Sequence, residues 1–254
     1  MVRQCTRYAL FILGFFSLYA HCQQLPQTIK QIKPSIVGIG LFNPTGSPRA
    51  QVLGTGFVIG DGSIVATNQH VIPEIIDGEK KSVVVFIGTG KNPQIDFATL
   101  LKTDEEHDLA ILKLTSHKLK PLNLNKSTDF IDDGTEIAFT GYPIGSVLGL
   151  YPVTHRGIIS AVTPVAIPAA NSTQLNLARL KRLRDPWMTY QLDATAYPGN
   201  SGSPVYLQNS GEVIAVINKV LVKESKENVL SDPSAITYAI PVRYLKDLME
   251  AANN

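Results

Sequence analysis

Cysteine is almost missing from this sequence. Its 254 residues contain two, Cys5 and Cys22, both within the first two dozen positions. A disulfide-stapled scaffold is thereby excluded, and core packing must hold the fold. A dominant charge is missing too. Lys and Arg number 23 against 21 Asp and Glu, and a net charge of +2 makes no case for a nucleic-acid partner. No apolar run after Ala20 is long enough to span a bilayer as a helix. No fixed-period repeat occurs, which sets aside propellers and solenoids. Metal-ligand spacing is lacking: His21, His107, His117 and His155 pair with no Cys or carboxylate at ligand intervals, so neither a metal nor a cofactor is implied. What remains is 44% hydrophobic and 17% charged, a globular composition. The length suits one large domain or two small barrels around a shared cleft.

The amino-terminal segment reads as a signal peptide spanning 1–22. Arg3 and Arg7 precede an apolar run from Tyr8 to Ala20 that is short for a membrane span and ends near small residues. Cleavage after Cys22 or after Ala20 fits, and an anchor retained in the membrane is the alternative reading. His21 is a bulky neighbour that argues against lipid attachment at Cys22. An exported protein without a stable membrane span is expected.

From Ser35 onward, short β-rich runs alternate with Gly, Pro, Asn and Asp. Strands are predicted at 35–42, 51–59, 63–67, 82–87, 109–114, 136–140, 157–162, 212–217 and 235–240. Many short strands with frequent turn signals predict an all-β sandwich or barrel. Leu175, Leu177, Leu180 and Leu183 recur loosely at helical intervals within 173–184, whose cationic face is a solvated surface or meets an acidic partner. Pro241 opens a terminal helix with Val242, Leu245 and Leu248 on one side. A polar stretch at 126–129 separates two runs of strands of similar length.

Three motifs carry chemistry. Pro198-Gly-Asn-Ser-Gly-Ser-Pro204 sets Ser201 between glycines in a tight turn, which can project a hydroxyl and aim backbone N–H groups at a developing oxyanion. His70 follows a predicted hairpin whose turn is Gly60-Asp-Gly-Ser63. A serine hydroxyl is a weak nucleophile at neutral pH, and imidazole is suited to activate it. Asp108 leads the apolar strand Leu109–Leu114 and can orient the imidazole. Each motif alone also fits an ordinary surface turn, a strand-end His or a strand-leading Asp. Together, in the order His, Asp, Ser, they match one arrangement of the serine triad and neither of two others.

The sequence resembles the trypsin-like protease domain of the Deg/HtrA family over residues 34–242. The resemblance rests on Gly54-Thr-Gly-Phe57, Ala66-Thr-Asn-Gln-His-Val71, Asp108-Leu-Ala-Ile-Leu112, Gly157-Ile-Ile-Ser160, Asp193–Pro204 and Tyr238-Ala-Ile-Pro241. It implies an all-β fold of two six-stranded antiparallel barrels with a C-terminal helix. An N-terminal barrel (23–128) would carry His70 and Asp108, and a C-terminal barrel (129–254) Ser201. It implies a serine endopeptidase acting on protein or peptide substrates, unfolded ones included, in an exported, bacterial periplasmic setting. Gly199, Asn200 and Ser201 would form the oxyanion hole. Thr195 would floor the primary pocket, with Asn218, Lys219, Val220 and Leu221 as its wall. Because Thr195 is neutral, small or medium apolar side chains are expected there. Self-association is left open. Ser203 departs from the family, which usually has a second Gly there, and a protease domain alone is expected, without the peptide-binding PDZ domain typical of the family. Asn200 has no charge with which to bind a freed amino terminus, so loop ordering at 166–188 and 222–234 is the expected control. The competing class is a catalytically silent protein-binding or chaperone-like module on the same fold. An esterase would use the same chemistry but fits the resemblance less well.

Overall fold

A computed structural model of the chain describes residues 24–74, 80–143, 149–165, 186–218 and 236–253. The candidate signal segment, the Leu-spaced stretch 173–184, the loop 222–234 and all but the last three residues of 166–188 lie outside them.

The core strands are apolar on both faces, and the architecture accounts for that. Along β4 (Ser82–Ile87), Val83 and Val85 point into the first barrel, while Val84 and Phe86 point out into a core shared with the second. β6 (Leu109–Leu114) alternates likewise, with Leu109 and Ile111 in the shared core and Leu112 and Leu114 inside the barrel. Side chains alternate with period two along a strand, so a strand buried on both sides reads as a continuous apolar run. With β1 (Ile36–Phe42), β2 (Ala50–Ile59), β3 (Ile64–Asn68) and β5 (Gln94–Asp104), these strands close a six-stranded antiparallel barrel in the order β1-β2-β3-β6-β5-β4. The second barrel comprises β7 (Glu136–Gly141), β8 (Val153–Pro164), β9 (Met188–Asp193), β10 (Pro204–Leu207), β11 (Val213–Asn218) and β12 (Ile236–Pro241). It closes in the order β10-β11-β12-β9-β8-β7. The expected pair of six-stranded barrels is therefore what the chain forms. The segment joining them, 115–135, contains the division drawn at 128/129.

Three strands escaped the sequence pattern. β10 has only four residues, and β9 mixes polar and apolar positions without a clean period. β5 inverts the usual alternation: Asp96 is its buried residue, while Ile95, Phe97, Leu100 and Leu101 are exposed. Asp96 tolerates burial because its carboxylate accepts hydrogen bonds from Thr115 Oγ1 (2.9 Å), Ser116 N (3.1 Å) and His117 N (2.9 Å), and pairs with His117 Nδ1 (3.0 Å).

Helices join the two halves. α1 (Gln24–Ile32), not foreseen from sequence, lays Ile32 into the shared core and donates from Thr28 Oγ1 to Gln208 O (2.9 Å) on the second barrel. α2 (Val242–Asn253) buries Val242, Leu245 and Leu248 on one side, as its spacing predicts. Its Lys246 Nζ donates to Asn125 O (3.0 Å) and Ser127 O (3.1 Å) in the joining segment. Tyr142, just past β7, donates to Ile36 O (3.2 Å) and Gly88 O (3.3 Å) of the first barrel, and burial pushes its hydroxyl pKa up to about 12.

Candidate active site

β3 ends in a 3-10 turn, Gln69–Val71, that carries His70. Asp108 immediately precedes β6, which pairs directly with β3. Strand pairing thus brings together two residues far apart in the chain. Asp108 has a φ of 53°, a left-handed backbone rare outside glycine and tolerated best by Asp and Asn. Four hydrogen bonds to the His70 segment hold that conformation. Asp108 O accepts from Gln69 N (3.1 Å) and Asn68 Nδ2 (3.1 Å). Asp108 Oδ1 accepts from His70 N (2.9 Å), and Oδ2 lies 2.6 Å from His70 Nδ1. With Nδ1 turned to the carboxylate, Nε2 is left to act as a base.

A further partner, not foreseen, is Asn218 at the end of β11. Its Nδ2 donates to Asp108 Oδ2 (2.9 Å). Besides the pocket-wall role that the family resemblance implies for Asn218, its amide supports the carboxylate from the opposite barrel. The side chains of His70 and Asp108 are 31% and 21% exposed, so the pair is open to solvent.

The Ser201 turn is clamped to the first barrel. Thr55 N donates to Ser201 O (2.9 Å), and Thr55 Oγ1 donates to Gly199 O (2.7 Å) while accepting from Tyr142 N (3.0 Å). On the other side, Gly202 N donates to Ile217 O (3.1 Å), next to Asn218. Gly199 and Gly202 have φ of 96° and 84°. A side chain at Gly202 would also strike Thr55 O and Thr67 Oγ1, so the turn sits against the end of β3 that leads to His70. Ser201 is 7% exposed. Among the described residues no hydrogen bond joins its hydroxyl to His70. Such bonds are often long in the absence of substrate and tighten in the Michaelis complex.

Among the described residues, the N–H groups of Gly199 and Ser201 donate to no protein acceptor. That of Asn200 is committed to Tyr197 O (3.0 Å), so Asn200 braces the turn while the N–H groups of its two neighbours stay available to a ligand. The Asn200 side chain and the Ser203 hydroxyl are fully buried behind the turn, beside Gly141, without partners among the described residues. Thr195 is half-buried where the loop from β9 approaches the turn, while Lys219, Val220 and Leu221 lie outside the described residues.

Residues 54–216, more than half of the chain, match the family model for a trypsin-like peptidase domain, and the match takes in His70, Asp108 and Ser201. The chain belongs to the trypsin-like peptidase family. Relatives of this peptidase bear out the Deg/HtrA resemblance. It is 28% identical over 237 residues to a probable periplasmic serine endoprotease, DegP-like, of Halomonas elongata, covering 91% of this chain and 42% of the relative. It is 30% identical over 209 residues to the mitochondrial serine protease HTRA2 of Drosophila virilis, covering 82% of this chain and 41% of the relative. The chain spans less than half the length of these curated relatives. The serine endoprotease of Yersinia pestis shares the peptidase's fold, with a TM-score of 0.60 at 24% identity over 90% of this chain and 66% of the other. An HtrA-type protease solved with a tripeptide gives a TM-score of 0.61 at 22% identity, covering 89% of this chain and 62% of the other.

Proposed function

We propose that this peptidase is a serine endopeptidase that hydrolyses exposed segments of proteins by acyl transfer to water. The reading rests on one observation above the rest: the His70 imidazole is held through Nδ1 by a carboxylate, in the cleft where the Ser201 turn is clamped between the barrels. In the proposed mechanism Ser201 Oγ attacks the scissile carbonyl carbon while His70 Nε2 takes the hydroxyl proton. Asp108 keeps the imidazole in its working tautomer and stabilises the imidazolium, and Asn218 steadies Asp108. Gly199 N–H and Ser201 N–H stabilise the oxyanion, an effect of about 3–4 kcal/mol per donor in measured cases. His70 then protonates the leaving amine, and water enters by the reverse sequence to release the acid and regenerate Ser201.

Export to the cell envelope is part of the proposal, supported by the charged and apolar pattern of residues 1–22 and by the periplasmic names of relatives. Cleavage of an unfolded protein by wild type and by Ser201→Ala tests the reaction, with a fluorophosphonate probe applied in parallel. Labelled wild type that cleaves, beside an inert Ser201→Ala, is the expected result. An unlabelled wild type would favour the silent binding module instead.

A further inference from the structure

His155 was set aside in the sequence as a histidine without ligand spacing, and the fold gives it a position with consequences. It stands on β8 directly across from Phe139 on β7. Their rings stack with centroids 4.8 Å apart and planes at 19°. Phe139 is fully buried in the core of the second barrel, so this cross-strand pair turns the imidazole toward the barrel interior. The His155 ring also faces Tyr197, at 5.7 Å between centroids. Tyr197 opens the turn that carries the proposed oxyanion donors, since its carbonyl accepts the Asn200 N–H. The loop leading there is fixed: Thr237 Oγ1 donates to Ala194 O (2.5 Å) and accepts from Ala196 N (3.1 Å). His155 Nε2 is buried with no partner among the described residues.

A substrate side chain is attached one bond from the attacked carbon. With that carbon at Ser201 and its oxygen at Gly199, the side chain falls among the residues flanking the 197–200 turn. We propose that His155 is a specificity-determining residue there, selecting an uncharged hydrogen-bonding side chain, an amide or a hydroxyl, on the residue whose carbonyl is attacked. The inference rests on the peptidase reading and departs from the apolar preference read from Thr195. A neutral imidazole offers one donor and one acceptor, which suits an amide or hydroxyl. Burial lowers the His155 pKa, so the ring stays neutral at neutral pH, and a carboxylate would lack the charged partner it needs. An apolar side chain would leave Nε2 unpaired, and sites built to hydrogen-bond a substrate group discriminate strongly against analogues that lack it.

The test maps cleavage of a peptide library, varied at the scissile residue, by the full chain as wild type, His155→Phe and His155→Gln. Fluorophosphonate labelling of Ser201 runs alongside. Wild type should cleave after Gln, Asn, Ser or Thr at least about tenfold better than after Leu or Val. His155→Phe keeps a ring to stack on Phe139 and should reverse that order, while His155→Gln should retain it. A labelled, cleaving wild type that favours apolar, acidic or basic residues overturns the role of His155 and leaves the peptidase standing. So does a His155→Phe profile equal to that of wild type. An unlabelled, inactive wild type removes both. Should His155→Phe not fold, the wild-type ratio of Gln to Leu decides the matter.

Discussion

At the scale of the residue, the site is a set of groups whose partners, side chain and backbone alike, come from other elements. Asp108 shows this most clearly: its carbonyl and carboxylate both grip the turn that carries His70, and Asn218 donates from the second barrel to the carboxylate oxygen that faces the imidazole. Asp108→Asn should therefore keep the fold but favour the wrong imidazole tautomer, lowering kcat by about 10⁴-fold, read from steady-state kinetics at neutral pH. Asn218→Ala should cost much less, because it removes a steadying contact and leaves the His70–Asp108 pair intact. Thr55 works through geometry alone. Thr55→Val keeps the shape but leaves Gly199 O and Tyr142 N–H without their shared partner inside the protein. A stability loss of about 1–3 kcal/mol in urea denaturation is expected, together with a lowered kcat as the turn of the proposed oxyanion donors loosens. Thr55 was legible in the sequence only as part of the motif Gly54-Thr-Gly-Phe57. Nothing local in that motif reveals that its hydroxyl meets a carbonyl 144 positions away.

Among the elements, the strands with strong apolar runs were readable and the weakly patterned ones were not. β4 and β6 begin and end where the sequence predicts, because burial on both faces makes each a nearly continuous apolar run, broken in β6 only by the exposed Lys113. β5 was missed because its one buried position holds Asp96, whose hydrogen bonds come from a turn about twenty residues on. α2 was legible from Pro241 and its apolar spacing, whereas α1 is short and its reason to be helical lies in Gln208 and the shared core. Leu245 is fully buried on α2, and Leu245→Ala should cost about 2–5 kcal/mol by calorimetry or denaturant titration. Lys246→Met should loosen the segment between the barrels, since it removes a charged donor from Asn125 O and Ser127 O.

Over the whole molecule, stability rests on the core between the barrels and on carboxylates, Asp96 buried and Asp104 half-buried, that must stay charged. Burial alone would raise the pKa of Asp96, but hydrogen bonds from His117, Thr115 and Ser116 outweigh it and hold the carboxyl below the usual range. At Asp104, burial is likewise outweighed, by the His107 side chain and backbone. A carboxyl whose pKa is lower folded than unfolded adds stability that is complete above its unfolded value, about 3.9, and is lost as pH falls through the folded value. Unfolding free energy should thus hold steady in these contributions above about pH 5 and fall below about pH 4. The gap between wild type and Asp96→Asn, wide at pH 7, should narrow at pH 3 when both are titrated with urea. The sequence by itself determined the all-β class, the terminal helix and the three residues of the proposed triad. Those are written in short-range terms: apolar period, turn residues, and a nucleophile, base and acid in a revealing order. Only the tertiary structure decided that Asn218 braces Asp108, that Thr55 clamps the Ser201 turn, and that His155 lies against Tyr197. Each of those contacts joins positions more than 40 residues apart, and strand pairing and barrel closure, which no local pattern records, bring them together.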